Sequence, residues 1–123
     1  MLVANIHGVN FTLGVRDLYW QLRQTEAVLA LHDGPMLFSG DFNTWRGKRA
    51  RVLDEIVATL GLAPLDYEVD HRKRVLGRAL DHMFVRDLRV VGATTRDLRS
   101  SDHNPMMVRL IYEPPEAMVH VFH

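Results

Sequence analysis

Cysteine is absent from the 123-residue sequence. No disulfide frame, thiol nucleophile or cysteine-based zinc site is available, and composition carries no mark of the redox compartment. Charge of a single sign is missing as well: 15 Lys+Arg balance 15 Asp+Glu, so no net field draws the chain to nucleic acid or to a membrane surface. No hydrophobic run approaches the roughly 20 residues that span a bilayer. Met1-Leu2-Val3-Ala4-Asn5 has neither the basic leader nor the apolar length of a signal peptide, which makes a cytoplasmic location the expectation. Internal repeats and low-complexity segments are also lacking. What the chain does have, 47% hydrophobic and 24% charged residues, is the make-up of one folded domain. Its expected extent is residues 1–113, with a tail at 114–123 after the strand-ending Glu113-Pro114-Pro115-Glu116.

Met1 to Ile6 reads as a strand that ends at His7-Gly8, with Asn5 and His7 on one face by the period of two. Between Val15 and Leu31, the residues Val15, Leu18, Leu22, Val28 and Leu29 recur at roughly helical spacing, and Gly34-Pro35 stops that helix. Met36-Leu37-Phe38 is a second strand. Val52, Leu53, Ile56, Val57 and Leu60 mark a second helix over 51–60, closed by Gly61. No period is visible from Ala63 to Gly77, a loop with a basic triplet and room for a short extended piece, whereas Leu80 to Val85, Leu88 to Ala93 and Met106 to Tyr112 read as strands. Leu80 to Val85 and Met106 to Leu110 are apolar on both alternating sets, which predicts burial on both faces, one of them under the helices.

Three polar clusters adjoin strand-like runs: Ser39-Gly40-Asp41-Phe42-Asn43-Thr44, Leu80-Asp81-His82 and Ser101-Asp102-His103-Asn104-Pro105. Strand ends are where open α/β sheets place ligands. Asp41 beside Asn43 suits phosphoryl chemistry, since a carboxylate orients or deprotonates water while an amide donates to a phosphate oxygen. A capped turn explains the same two residues locally. In extended backbone His103 and Asp102 point apart, so the imidazole needs a carboxylate from elsewhere, and Asp81 can supply it. Asp102 is then left to face a metal, its hard oxygens suiting Mg²⁺ or Mn²⁺. Asn5 and His7 are candidates to bind a phosphate group. His32, His71, His82, His120 and His123 read as packed or interfacial. The basic groups around Lys48 and Lys73 read as phosphate-holding or simply solvated.

Taken in order, the three clusters, with Asn5-Ile6-His7 ahead of them, resemble the endonuclease/exonuclease/phosphatase superfamily that includes DNase I-like nucleases. The resemblance implies a divalent-metal phosphoesterase using Mg²⁺ or Mn²⁺. Asp41 would align the attacking water and Asn43 would contact the scissile phosphate. His103 would stand at the phosphate, held by Asp81, while Asp102 serves the metal and His7 matches a second phosphate-contacting histidine. Members are longer and carry an Asn and a metal-binding Glu on earlier strands. Glu26 and Glu55 fall in expected helices and do not replace that Glu.

The chain therefore looks like the C-terminal half of the fold: α/β, half of a four-layer sandwich, with one mixed sheet and helices on one face. Two functions compete. One is the catalytic half of a phosphodiesterase, nucleases included, that needs the missing half for activity. The other is a non-catalytic truncated relative acting as a phosphate-binding or interaction module. A half-sandwich leaves one sheet face bare, so self-association is expected. The basic loop from Arg72 to Arg78 leans weakly toward nucleic acid as a partner.

Overall fold

Alternation along the first strand, β1 (Leu2–His7), half-buries Leu2, Ala4 and Ile6 and exposes Val3, Asn5 and His7. In the computed structural model the described residues are 1–7, 16–42, 47–72, 74–75, 78–97 and 103–112. The chain crosses from β1 through α1 (Arg16–Leu29) into β2 (Met36–Asp41), which lies parallel to β1. It continues through α2 (Gly47–Thr59) and β3 (Ala63–Pro64) to a small β4 (Arg74–Val75) and β5 (Arg78–Ala79) pair. β6 (Asp81–Arg86), β7 (Arg89–Thr95) and β8 (Met106–Ile111) follow. The main sheet has the order β1-β2-β6-β3 and is mixed, because β6 runs antiparallel to both β2 and β3.

One face of this sheet carries the helices. Met36 and Phe38 from β2, Phe84 from β6, and Phe42 just beyond β2 pack with Leu18 and Leu22 of α1 and Leu53, Ile56 and Val57 of α2. Phe38 and Phe42 meet edge to face, their ring centroids 5.2 Å apart, and Phe84 completes the trio. α2 ends in a Schellman motif. Gly61 adopts a left-handed φ of 68°, Leu62 N–H donates to Val57 O at 2.9 Å and Gly61 N–H to Ala58 O at 3.1 Å. Arg86, at the far end of β6, donates to the carbonyls of His32 and Gly34 after α1 and of Leu60 after α2, at 2.8 to 3.0 Å. One cation thus serves the C-terminal ends of both helices, where carbonyls are unpaired and the dipole is negative.

The other face is partly covered by β7 and β8, which form a separate antiparallel ribbon. Leu65, Val85 and Ala93 are buried there, with Leu37, Met83, Val108 and Leu110 packed around them. This differs from the expected two-sided burial of Met106 to Leu110. In β8, Met106, Val108 and Leu110 are half-buried while Met107 and Arg109 are exposed, because a two-stranded ribbon lying on a sheet has one face to pack and one face in water. The cover stops short of β1, where Val3 is 57% exposed. The domain boundary at 113 and the tail lie outside the described residues. Among the described residues, no helix is long and apolar enough to cross a membrane.

Candidate active site

Strand register sets the first row of the site. Asp41 closes β2 opposite His7 of β1 and Asp81 of β6, so the three stand abreast across neighbouring strands. All three lie on the face away from the helices, since Phe38 and Phe84, on the opposite set, are buried beneath them. Phe42 anchors this end: it is fully buried, and its N–H donates to Leu80 O at 2.9 Å, continuing the β2–β6 pairing by one bond past Asp41. Behind the first row stand Asn5 and Ser39, joined by a 3.2 Å hydrogen bond from the serine hydroxyl.

Close approach of β1 requires Gly40. A Cβ there would collide with the carbonyl oxygen of Ile6, so any side chain would push β1 off β2 and carry His7 away from Asp41.

His103 arrives from the ribbon. Its Nδ1 lies 2.7 Å from Asp81 Oδ2 and its Nε2 lies 3.4 Å from Asp41 Oδ2, while His7 Nε2 is 3.6 Å from that same Asp41 oxygen. The ionised Asp81 can only accept, so Nδ1 carries the proton and Nε2 faces Asp41. A bare lone pair on Nε2 would oppose a carboxylate oxygen; a proton on Nε2, a water donating to both, or a cation relieves that opposition. Burial pushes the Asp81 carboxyl above its ordinary value, the His103 hydrogen bond pulls against it, and the nearby Asp41 adds to the rise.

One ligand atom each from Asp41, Asp81 and His103 lies within 4.8 Å of the other two, a set able to hold a metal ion. Two carboxylates and an imidazole nitrogen suit a hard or borderline divalent cation. A cleft of about 280 Å³ opens beside them, lined also by Asn5, Ser39 and Met83 of the sheet and by Pro105 and Met106.

On the opposite face of β6, His82 is packed as expected, stacked on Phe84 at 5.9 Å and beside Phe42 at 6.0 Å. Arg72 Nη1 lies 3.4 Å from its Nδ1. Burial first, then the Arg72 charge, lower the His82 pKa to about 4.

The structure brings together His7, Asp41, Asp81 and His103, with Asn5 one row behind. Asn43 and Asp102 lie outside the described residues, as does Lys73. Among the expected basic groups, Lys48 and Arg51 are exposed, as the solvated reading has them, and three others differ. Arg49 is 2% exposed on the inner side of α2, and Arg72 and Arg74 both pair with Asp70 at 2.8 Å. The Arg72 side-chain hydrogen bond first, then its main-chain N–H and the charges of Arg72 and Arg74, hold Asp70 down to about 2 against the effect of burial. The sequence gives Asn104 no role of its own and offers Arg72 only as part of a basic loop facing a polyanion. Asn104 was legible only as part of its motif, and nothing in the spacing of Arg72 announced its partners.

Residues 4–103 match the profile of the Endonuclease/Exonuclease/phosphatase family. A UPF0294 protein of Yersinia pseudotuberculosis is 43% identical over 108 residues, covering 88% of this chain and 42% of that protein. Others from Yersinia enterocolitica and Vibrio vulnificus are 40% and 39% identical, covering 88% of this chain and 42% and 38% of their own lengths. The chain thus spans about two-fifths of the length of these relatives. No solved structure matches.

Proposed function

Because the chain belongs to the endonuclease/exonuclease/phosphatase family, we propose that, within a polypeptide as long as its relatives, it supplies the Asp–His half of a divalent-metal-dependent phosphoesterase. The observation that carries this reading is the 2.7 Å contact between His103 and Asp81 with Asp41 on the far side of the imidazole. Asp81 fixes the tautomer of His103 and stabilises its charged form. The protonated Nε2 then donates to a phosphate oxygen as negative charge builds there. Asp41, next to that position, orients the attacking water or takes its proton. His7 and Asn5 flank the same opening and bind a second phosphate oxygen, a role that Asn43 shares by its place in the motif.

Asp102, by its place in the motif, would hold Mg²⁺ or Mn²⁺ beside the water that Asp41 orients. Such an ion, when bound, neutralises phosphate charge and lowers the pKa of a coordinated water. The C-terminal-half placement and the domain limits of 1–113 belong to this proposal.

The test is hydrolysis of a generic phosphodiester and of plasmid DNA with Mg²⁺, Mn²⁺ or EDTA, using the chain, a version extended to the length of its relatives, and His103→Ala in each. Metal-dependent turnover that falls about 100-fold or more in His103→Ala is expected. Turnover indifferent to EDTA or to the substitution would refute the proposal. Absence of turnover in both lengths would favour the phosphate-binding or interaction module. The plasmid arm decides nucleic acid as substrate, toward which Arg72 and Arg74 speak less once paired with Asp70.

A further inference from the structure

Asp81 and His103 come from carriers that are not sheet neighbours: β6 pairs with β2 and β3, and the residues after His103 enter β8, which pairs with β7. Strand pairing between them therefore does not set their separation. The stretch Asp70-His71-Arg72 spans the two carriers. Asn104 Nδ2, one residue past His103, donates to the main-chain oxygen of His71. Arg72 Nη1 donates to the main-chain oxygen of Asp81 at 3.1 Å. Adjacent residues of one loop thus hold the main chain of Asp81 on one side and the side chain that follows His103 on the other.

The loop is itself pinned. Arg72 Nε and Nη2 fork onto the Asp70 carboxylate at 3.0 and 2.8 Å, and the guanidinium lies over the Tyr67 ring, 4.6 Å from its centroid. His71 N–H donates to the Thr95 hydroxyl, which donates onward to Val69 O. Asn104 is 5% exposed and the Arg72 side chain 15%, so water competes weakly for these bonds. The planar guanidinium reaches Asp70 and the Asp81 carbonyl at once; an ammonium, a point donor on a flexible stem, does not reproduce that fork.

We propose that Arg72 and Asn104 are positioning residues, and that the Asp70–Arg72 segment braces β6 against the His103 turn so that His103 Nδ1 meets Asp81. The proposal deepens the phosphoesterase reading and, where it concerns turnover, rests on it.

The test separates the two. In the 123-residue chain, ¹⁵N-resolved NMR of the His103 ring reads its tautomer, with Arg72→Lys retaining a cation beside Asp70 to favour folding and Asn104→Ala probing the other grip. The wild type is expected to hold the Nδ1–H form, and each variant, still folded by amide dispersion, to shift to a mixture. In whichever length of protein hydrolyses the phosphodiester, kcat is expected to fall about 10- to 100-fold with KM changed less than about twofold. A folded Arg72→Lys and Asn104→Ala that keep the wild-type tautomer overturn the brace, even if their melting temperatures fall. Loss of the tautomer in both variants with no hydrolysis by any form supports the brace and removes the phosphoesterase reading.

Discussion

Acid should weaken this fold through one imidazole. His82 lies against Phe84 and Phe42, and its Nδ1 is 3.4 Å from Arg72 Nη1. A guanidinium only donates, so the proton His82 would gain in acid has to go where a cation already points. In the folded protein its pKa is about 4, against 6.5 for the free side chain. Below pH 6.5 the unfolded chain therefore binds a proton that the folded chain refuses, and stability falls with falling pH until the folded imidazole titrates near 4. The interval of about 2.5 pH units, at about 1.4 kcal/mol each, sets an upper bound of about 3–4 kcal/mol.

Urea unfolding at steps between pH 7 and pH 4 measures it. Asn at 82 offers Arg72 an amide oxygen without titrating, so His82→Asn should lose stability at pH 7 through lost packing and yet show a flatter profile. Asp70, held at about 2, loses its contribution only below the ordinary value of 3.8, outside the window. Asp81 works oppositely: its raised pKa favours the folded state at low pH, a contribution lost as pH rises through the folded value. That term persists in both proteins, and the difference between their profiles isolates His82. Parallel profiles for the two proteins would refute the reasoning.

Arg86→Met removes the donor shared by His32, Gly34 and Leu60; about 2–4 kcal/mol should be lost in urea melts, and a change below about 0.5 kcal/mol would show that water replaces it. Gly40→Ala forces β1 from β2 and should cost about 2 kcal/mol or more, with hydrogen exchange accelerated in β1 before the rest of the sheet; uniform acceleration would place the strain elsewhere. The ribbon leaves Val3 exposed on an edge strand, so the isolated chain should associate with rising concentration in sedimentation, and Val3→Lys should reduce this; a wild type that stays monomeric throughout counts against it.

The elements with a clean period were legible in the sequence. Both helices, and the strands ending at His7 and Asp41 or beginning at Asp81, differ from their expected bounds by a few residues, because apolar spacing and Gly–Pro punctuation act locally. The division of β8 from the main sheet was not legible, since Met106 to Leu110 is apolar at nearly every position and only the neighbouring chain decides which side is wet. The burial of Arg49 and the pairing of Arg72 were missed for a related reason. A cation in a basic run looks solvated until its partners are placed, and the partners of Arg72 include a main-chain oxygen, which leaves no trace in residue identity.

The adjacency of Asp81 and His82 carries the remaining argument. Successive residues of a strand point to opposite faces, so one two-residue step of β6 sends a carboxylate into the candidate site and an imidazole into the aromatic packing under the helices. Phe42 and Asp41 make the same division on β2, the strand beside it. The polar row is therefore backed by an apolar row one residue away on each strand, and Arg72 touches β6 at the Asp81 main-chain oxygen and at the His82 ring. Disturbing the packing at Phe42, Phe84 or His82 must then be felt by the carboxylates through the backbone they share. Phe84→Leu, distant in chemistry from any phosphate, should loosen the Asp81–His103 contact more than an equal loss of stability produced at Arg86, at the other end of β6. Tautomer NMR of His103 in the two variants, matched for unfolding free energy, decides it: equal effects would mean that the site senses only global stability.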